Sequence, residues 1–211
     1  MPAQSSRKNK AIGMIYLNFI IHHAGGILTN TQVSWRTIAH DTNSILDVYR
    51  KYVLPMVALP LICKFIGFSL VGYTLPYTNS IIRIPLEQGL KDGLATYVLV
   101  LVFFYIFALI NKKAIEKHNL TISLNRSFKL VAFSSTPVCL AGILFLFPGF
   151  SQLVIFGAAY AIYLFYQGIV EIVDESGNKA ITIIVAAIGV VLLFWISLEL
   201  LLNEFVRSFP A

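Results

Sequence analysis

The sequence predicts an all-α polytopic membrane protein, a five-transmembrane-helix bundle with an amphipathic N-terminal cytoplasmic segment. Three observations predict it. Only 12% of the residues are charged and 57% are hydrophobic, whereas soluble domains average about 25% charged. The apolar residues fall into five blocks, each near the roughly 20 residues that cross a hydrocarbon core. Cations collect at alternate ends of those blocks, as in chains that orient themselves by charge across a bilayer. At 211 residues the length suits one membrane domain.

The elements follow in order. Residues 1–10 are polar and are expected to be disordered. Residues 11–51 read as a cytoplasmic, interfacial segment. Within it Ile12, Ile15, Tyr16, Phe19 and Ile20 share one helical face. That face is too short to span lipid and suits a helix lying along the interface. "MIYLNFII" is also too short for a secretory leader and has no clear cleavage site. Trp35 suits a headgroup-level anchor. Ile45, Leu46, Val48 and Tyr49 form a second amphipathic stretch that leads into the first span.

Residues 52–211 form the membrane domain. Its spans are Tyr52–Tyr73, Leu94–Ile110, Phe128–Phe147, Ser151–Ile172 and Ala180–Asn203. Between the first two lies a loop punctuated by Pro76 and Pro85, with Ile81, Ile82 and Ile84 suited to the interface.

Loop charge orients the bundle. Arg7, Lys8, Lys10, Arg36, Arg50 and Lys51 precede or open the first span. Lys112, Lys113, Lys117, Arg126 and Lys129 flank the second-to-third loop, and Lys179 lies between the fourth and fifth spans. The other side holds Arg83, Lys91 and Arg207. Twelve against three places the N-terminus in the cytoplasm and, after five crossings, the C-terminus outside. The basic balance is thus spent on topology. No basic and aromatic surface segment points to nucleic acid.

The third span contains "FSSTPVCLAGILFLFPG", Phe133 to Gly149. Pro137 has no N–H, so the carbonyl of Phe133 loses its helical partner. Lipid supplies no replacement. The hydroxyls of Ser134, Ser135 and Thr136 can serve such carbonyls within their own helix. Gly142 lets a neighbouring helix approach. Pro148 and Gly149 end the span in a tight turn, making spans three and four a helical hairpin. Two readings of Pro137 stand: a static kink, or a hinge beside a polar path.

Other residues carry weaker signals. Lys64 lies about 18 Å into the first span at 1.5 Å per residue. It is either a functional intramembrane charge or a side chain that snorkels outward. Glu199, near the outer end of the fifth span, is its candidate partner. Tyr160, Tyr163 and Tyr166 recur every third residue ahead of Gly168, and either line a cavity or pack with bonded hydroxyls. Glu171, Asp174 and Glu175 form an acidic turn. Cys63 and Cys139 have no paired spacing, and no histidine pattern suggests a metal. No nucleophile–base pair, phosphate loop or zinc signature appears. The expectation is no catalytic residue, no cofactor and no metal.

"FKLVAFSSTPVCLAGILFLFPGFSQLVIFGAAYAIYLFYQGI" resembles the bacterial branch of the Yip (Ypt-interacting protein) membrane family. The resemblance rests on Lys129, "SSTP" ending at Pro137, "LAGI" from Leu140 to Ile143, Pro148, Tyr160, "IYL" from Ile162 to Leu164, Tyr166 and Gly168. "LTNTQVSWRTI" and "VLPMVALPLICKFIG" extend it over residues 28–195. It implies five helices, a cytosolic N-terminus, no catalytic residues and a bacterial inner membrane. Eukaryotic relatives associate with Rab GTPases. Their Asp-Leu-Tyr-Gly-Pro signature is met here by "DVYRK" (Asp47 to Lys51) without the Gly and Pro, which argues against a GTPase partner.

The expected role is therefore non-enzymatic: a membrane scaffold, an organising or a trafficking-type factor. Its partners are the lipid bilayer and other membrane proteins or its own copies. The alternative is a small solute or ion transporter or channel.

Overall fold

The computed structural model describes residues 18–74 and 80–208, with 203–208 described by backbone alone. The expectations for residues 1–10, for Ile12, Ile15 and Tyr16, and for the Pro76 turn lie outside the described residues.

Two short helices come first, α1 (18–29) and α2 (Thr31–His40). Five helices long and apolar enough to cross a membrane follow. They are α3 (Ile45–Val71), α4 (Leu86–Lys117), α5 (Leu124–Leu146), α6 (Pro148–Val173) and α7 (Asn178–Ser208). Between α3 and α4, β1 (Tyr73–Thr74) pairs antiparallel with β2 (Ile81–Ile82), where the sequence suggests only a loop.

α3 starts earlier than the hydropathy pattern suggests. Ser44 and Asp47 form a reciprocal cap: the Ser44 hydroxyl accepts from the Asp47 N–H at 3.2 Å, and the Asp47 carboxylate accepts from the Ser44 N–H at 3.3 Å. This satisfies two of the donors a helix start leaves open, so the second amphipathic stretch becomes the first turns of α3. The helix widens into a π turn over Tyr49–Val53, just before Pro55. Pro55 cannot donate to the Lys51 carbonyl, and a wider turn accommodates its ring. Gly72 ends the helix at φ +84°, its N–H bonded to the Gly67 carbonyl at 2.8 Å.

α4 has 32 residues, about 48 Å of helix at 1.5 Å per residue. Its ends carry the exposed pairs Lys91–Glu87 and Lys112–Glu116.

α5 is the centre of the bundle: 56% of its most apolar 18-residue stretch is buried, against 17% for that of α7. Every residue from Ser127 to Ser134 is buried. α5 packs on α3, α4 and α6, while α7 packs on α4 and α6. Stacked rings join the outer helices, with Phe103 on Phe194 at 3.8 Å and Phe107 on Phe165 at 6.3 Å. Leu192, Leu193, Ile196 and Leu200 of α7, and Val98, Val102 and Ile106 of α4, remain exposed. These faces suit lipid, where an exposed leucine costs nothing.

Candidate functional site

The kink in α5 is built from its own side chains. The helix breaks at Ser135, and Pro137 starts the next turn. Thr136 Oγ1 donates to the Phe133 carbonyl at 2.5 Å, the acceptor that Pro137 leaves open. Ser135 Oγ donates to the Ala132 carbonyl at 2.8 Å. The Tyr52 hydroxyl on α3 lies 2.6 Å from Thr136 Oγ1 and completes a buried chain. Ser134 departs from expectation. It is buried, and its hydroxyl has no partner among the described residues: a helical serine reaches carbonyls three or four residues back, and the carbonyl that Pro137 opens is only one residue back.

The helices lie in close contact at this level. A Cβ at Gly157 of α6 would lie 2.8 Å from the Pro137 carbonyl and 2.6 Å from Ala141 Cβ. A Cβ at Gly142 would lie 2.3 Å from Pro60 Cβ on α3. These glycines bring backbones together, the device helices use where lipid gives no hydrophobic drive. Pro148 opens a 3₁₀ turn over Pro148–Leu153, and Phe147 alone separates it from the end of α5.

The other focus lies at the end of the bundle that carries α1 and α2. Lys129 is 1% exposed. Its Nζ donates to the Asp41 carbonyl at 2.6 Å and stands 3.7 Å from Asp41 Oδ2. Asp41 also accepts from the Asn43 N–H at 3.1 Å and the Asn43 amide at 2.6 Å, and Asn125 Nδ2 donates to the Asn43 carbonyl at 3.0 Å. The linker between α2 and α3 is thus fastened to the first turns of α5. His23 of α1 packs on Phe133, ring centroids 5.2 Å apart. Tyr160 of α6 donates to the Leu28 carbonyl at 3.1 Å.

Trp35 is fully buried, so it is not a headgroup anchor. The reason is Gly168: a Cβ there would lie 2.9 Å from Trp35 Cζ2 and 2.3 Å from Leu130 Cδ1. The absent side chain is the seat of the indole. Arg36, one residue on, forms a two-point bond to Glu171 at 3.0 and 3.5 Å. Glu175 pairs with Lys179 at 3.6 Å.

Gly168→Val will push the indole out of this seat. Crowding of this kind costs about 1–3 kcal/mol. In a Trp195→Phe background, Trp35 emission will shift to the red. An unshifted spectrum would show that the seat tolerates a side chain.

Lys64 and Glu199 are not brought together. Both are exposed, and no ion pair joins them among the described residues. α7 packs on α4 and α6, which leaves Glu199 away from α3. Tyr160 and Tyr163 stack at 5.7 Å. Tyr163 is largely exposed and Tyr166 half-buried, so the three tyrosines do not line one cavity. No group of three or more metal-ligating side chains occurs among the described residues.

The comparisons with known proteins agree with this architecture. The family model of the Yip1 domain matches residues 25–198. The chain belongs to the Yip1 domain family. It is similar to the Inner membrane protein YohC of two Escherichia coli strains, 23% identical over 176 residues, 81% of this chain and 90% of the relative in each case. No solved structure matches. The Yip1 match takes in the end of α1, all of α2, the first four spans and α7 as far as residue 198. α2 therefore lies inside the matched region, together with the last turn of α1.

Lys129 of this Yip1 domain reads in the sequence as one more orienting cation. Its neighbours give the only signal, since Phe128 and Leu130 flank it with apolar side chains on both sides. Asp41 gives no signal beyond following a helix.

The cluster titrates. Burial pushes the His23 imidazole below its ordinary value, as do the charges of His22 and Lys129; Asp41 opposes them. Burial works against the Asp41 carboxylate, but the Asn43 bonds and the Lys129 and His23 charges hold it below the usual carboxylate range. A histidine kept neutral by folding stabilises above its unfolded pKa of about 6.5, and that contribution is lost as pH falls towards its folded value. A depressed carboxylate stabilises above about 3.9 and loses that contribution as pH falls through its folded value. Docking of α1 and α2 will therefore weaken in two stages on acidification, the first below about pH 6.5. Amide exchange of Thr31–His40 measures it. His23→Phe keeps the ring contact and will remove the first stage alone. A first stage that persists in that variant would assign it elsewhere.

Proposed function

We propose that this protein is a non-enzymatic scaffold of a bacterial inner membrane, with its N-terminus in the cytoplasm and its C-terminus outside. It organises the membrane by helix packing and by binding other membrane proteins or its own copies. The observation that carries this reading is the seating of Gly157 on the Pro137 carbonyl. The kink that a transporter would use as a hinge beside a polar path is closed by backbone contact, and its Ser135 and Thr136 hydroxyls are spent on carbonyls of the same helix. The charge bias supports the orientation, and the named relatives support the compartment.

Reconstitution tests it. Proteoliposomes containing the purified chain are expected to hold ion and solute gradients as well as empty vesicles do, while photo-crosslinkers on the α1–α2 surface capture a discrete membrane-protein partner or a second copy. Flux that depends on Lys64 would overturn the scaffold and establish the transporter.

A further inference from the structure

A groove of about 350 Å³ lies where α1 crosses the side of α3 and α4, lined by Ile20, Arg50, Leu54, Pro55, Ala58 and Tyr97. Its two ends differ in chemistry. Arg50 stands at one end, exposed and with no ion pair among the described residues. The neighbouring cation, Lys51, is already engaged: it lies 3.5 Å from Asp47 and over the Phe19 ring. From Arg50 the floor runs along α3 through Leu54, Pro55 and Ala58, about 12 Å of helix at 1.5 Å per residue. All three are apolar. The ring of Tyr97 also lines the groove, and its hydroxyl donates to the Leu54 carbonyl at 3.1 Å. Ile20 of α1 completes the lining.

A cation above an apolar trough, on the flank of a membrane span, is complementary to one kind of occupant. The guanidinium matches a phosphate in two-point geometry. The trough matches a hydrocarbon chain. Arg50 also belongs to the basic end of the bundle, with Lys51, Lys112, Lys113 and Arg126, where the surrounding field favours anions. We propose that this groove is a binding site for an anionic phospholipid, its phosphate held by Arg50 and one acyl chain laid against Leu54, Pro55, Ala58 and Tyr97. Ile20 then ties the α1 helix to the occupied lipid, so the lipid becomes part of the seam between α1 and the spans.

Native mass spectrometry of the full chain in detergent, titrated with phosphatidylglycerol, phosphatidylcholine and inorganic phosphate, tests the site. Phosphatidylglycerol is expected to bind more tightly than phosphatidylcholine, and millimolar phosphate is not expected to displace it. One cation near a lipid headgroup corresponds to about a fivefold change in affinity. Arg50→Gln will therefore weaken phosphatidylglycerol binding about fivefold, and Arg50→Lys will restore most of it. Lys113→Gln removes a cation from the same end of the bundle but outside the groove, and will leave binding unchanged. Ala58→Trp fills the trough and will abolish the tight site for both lipids. Equal affinity for the two lipids, an equal loss in Lys113→Gln, displacement by phosphate, or full binding by Arg50→Gln or a folded Ala58→Trp would each overturn the proposal.

Discussion

Replacing Lys129 by methionine will release the α1–α2 hairpin while the five spans stay folded. Methionine fills nearly the same volume, so no cavity opens. What disappears is a charge-assisted bond to the Asp41 carbonyl and the ion pair behind it. Breaking a buried pair costs about 3–5 kcal/mol when the remaining charge is trapped. Here Asp41 retains 19% of its side-chain exposure and rehydrates once freed, so about 2–3 kcal/mol is expected, the range for a hydrogen bond to a charged group. That corresponds to a roughly 30- to 150-fold rise in the open hairpin population. Amide exchange in Thr31–His40 will rise by that factor, while exchange in α5 stays slow. Unchanged exchange would mean that Trp35 and Tyr160 hold the hairpin without the lysine. A global loss of protection would mean that the ion pair belongs to the bundle itself.

Gly67→Ala will have the second large effect. A Cβ at Gly67 would stand 1.8 Å from the Phe145 carbonyl oxygen and 2.9 Å from its carbon. The obstacle is backbone, which cannot rotate aside, so α3 and α5 must part along a contact that also includes Pro60 and Gly142. Overpacking a tight interior costs about 1–3 kcal/mol, and this site belongs at the upper end of that range. The Tm in detergent will fall by several degrees. Gly93→Ala is the control. Nothing lies within 4 Å of a Cβ there, and alanine favours helix over glycine by about 1 kcal/mol, so its Tm will hold or rise. Equal behaviour of the two variants would refute the close crossing of α3 and α5.

The five spans and the Pro137 device are legible in the sequence because each rests on a local rule. Hydrophobic length marks a span, and a proline marks a carbonyl three or four residues back. Even there the boundaries move: the Ser44–Asp47 cap extends α3 by seven residues that hydropathy alone assigns to the interface. The hairpin seat is a different matter. Trp35 and Gly168 lie 133 positions apart, and Asp41 and Lys129 are separated by 88. No periodicity connects them. A tryptophan beside a membrane span fits a headgroup anchor equally well, and a lysine at a span's edge fits charge-directed topology. Only their coming together separates a structural core from a surface pattern. The Lys64–Glu199 pairing fails for the same reason, since which helices are neighbours depends on the fold.

The order of residues along the chain also fixes which half of the Lys129–Asp41 pair is made first. The ribosome delivers Asp41, with its carbonyl and carboxylate, before it makes Lys129. The two groups that receive the Lys129 ammonium, the Asp41 carbonyl and carboxylate, are therefore synthesised 88 residues ahead of it.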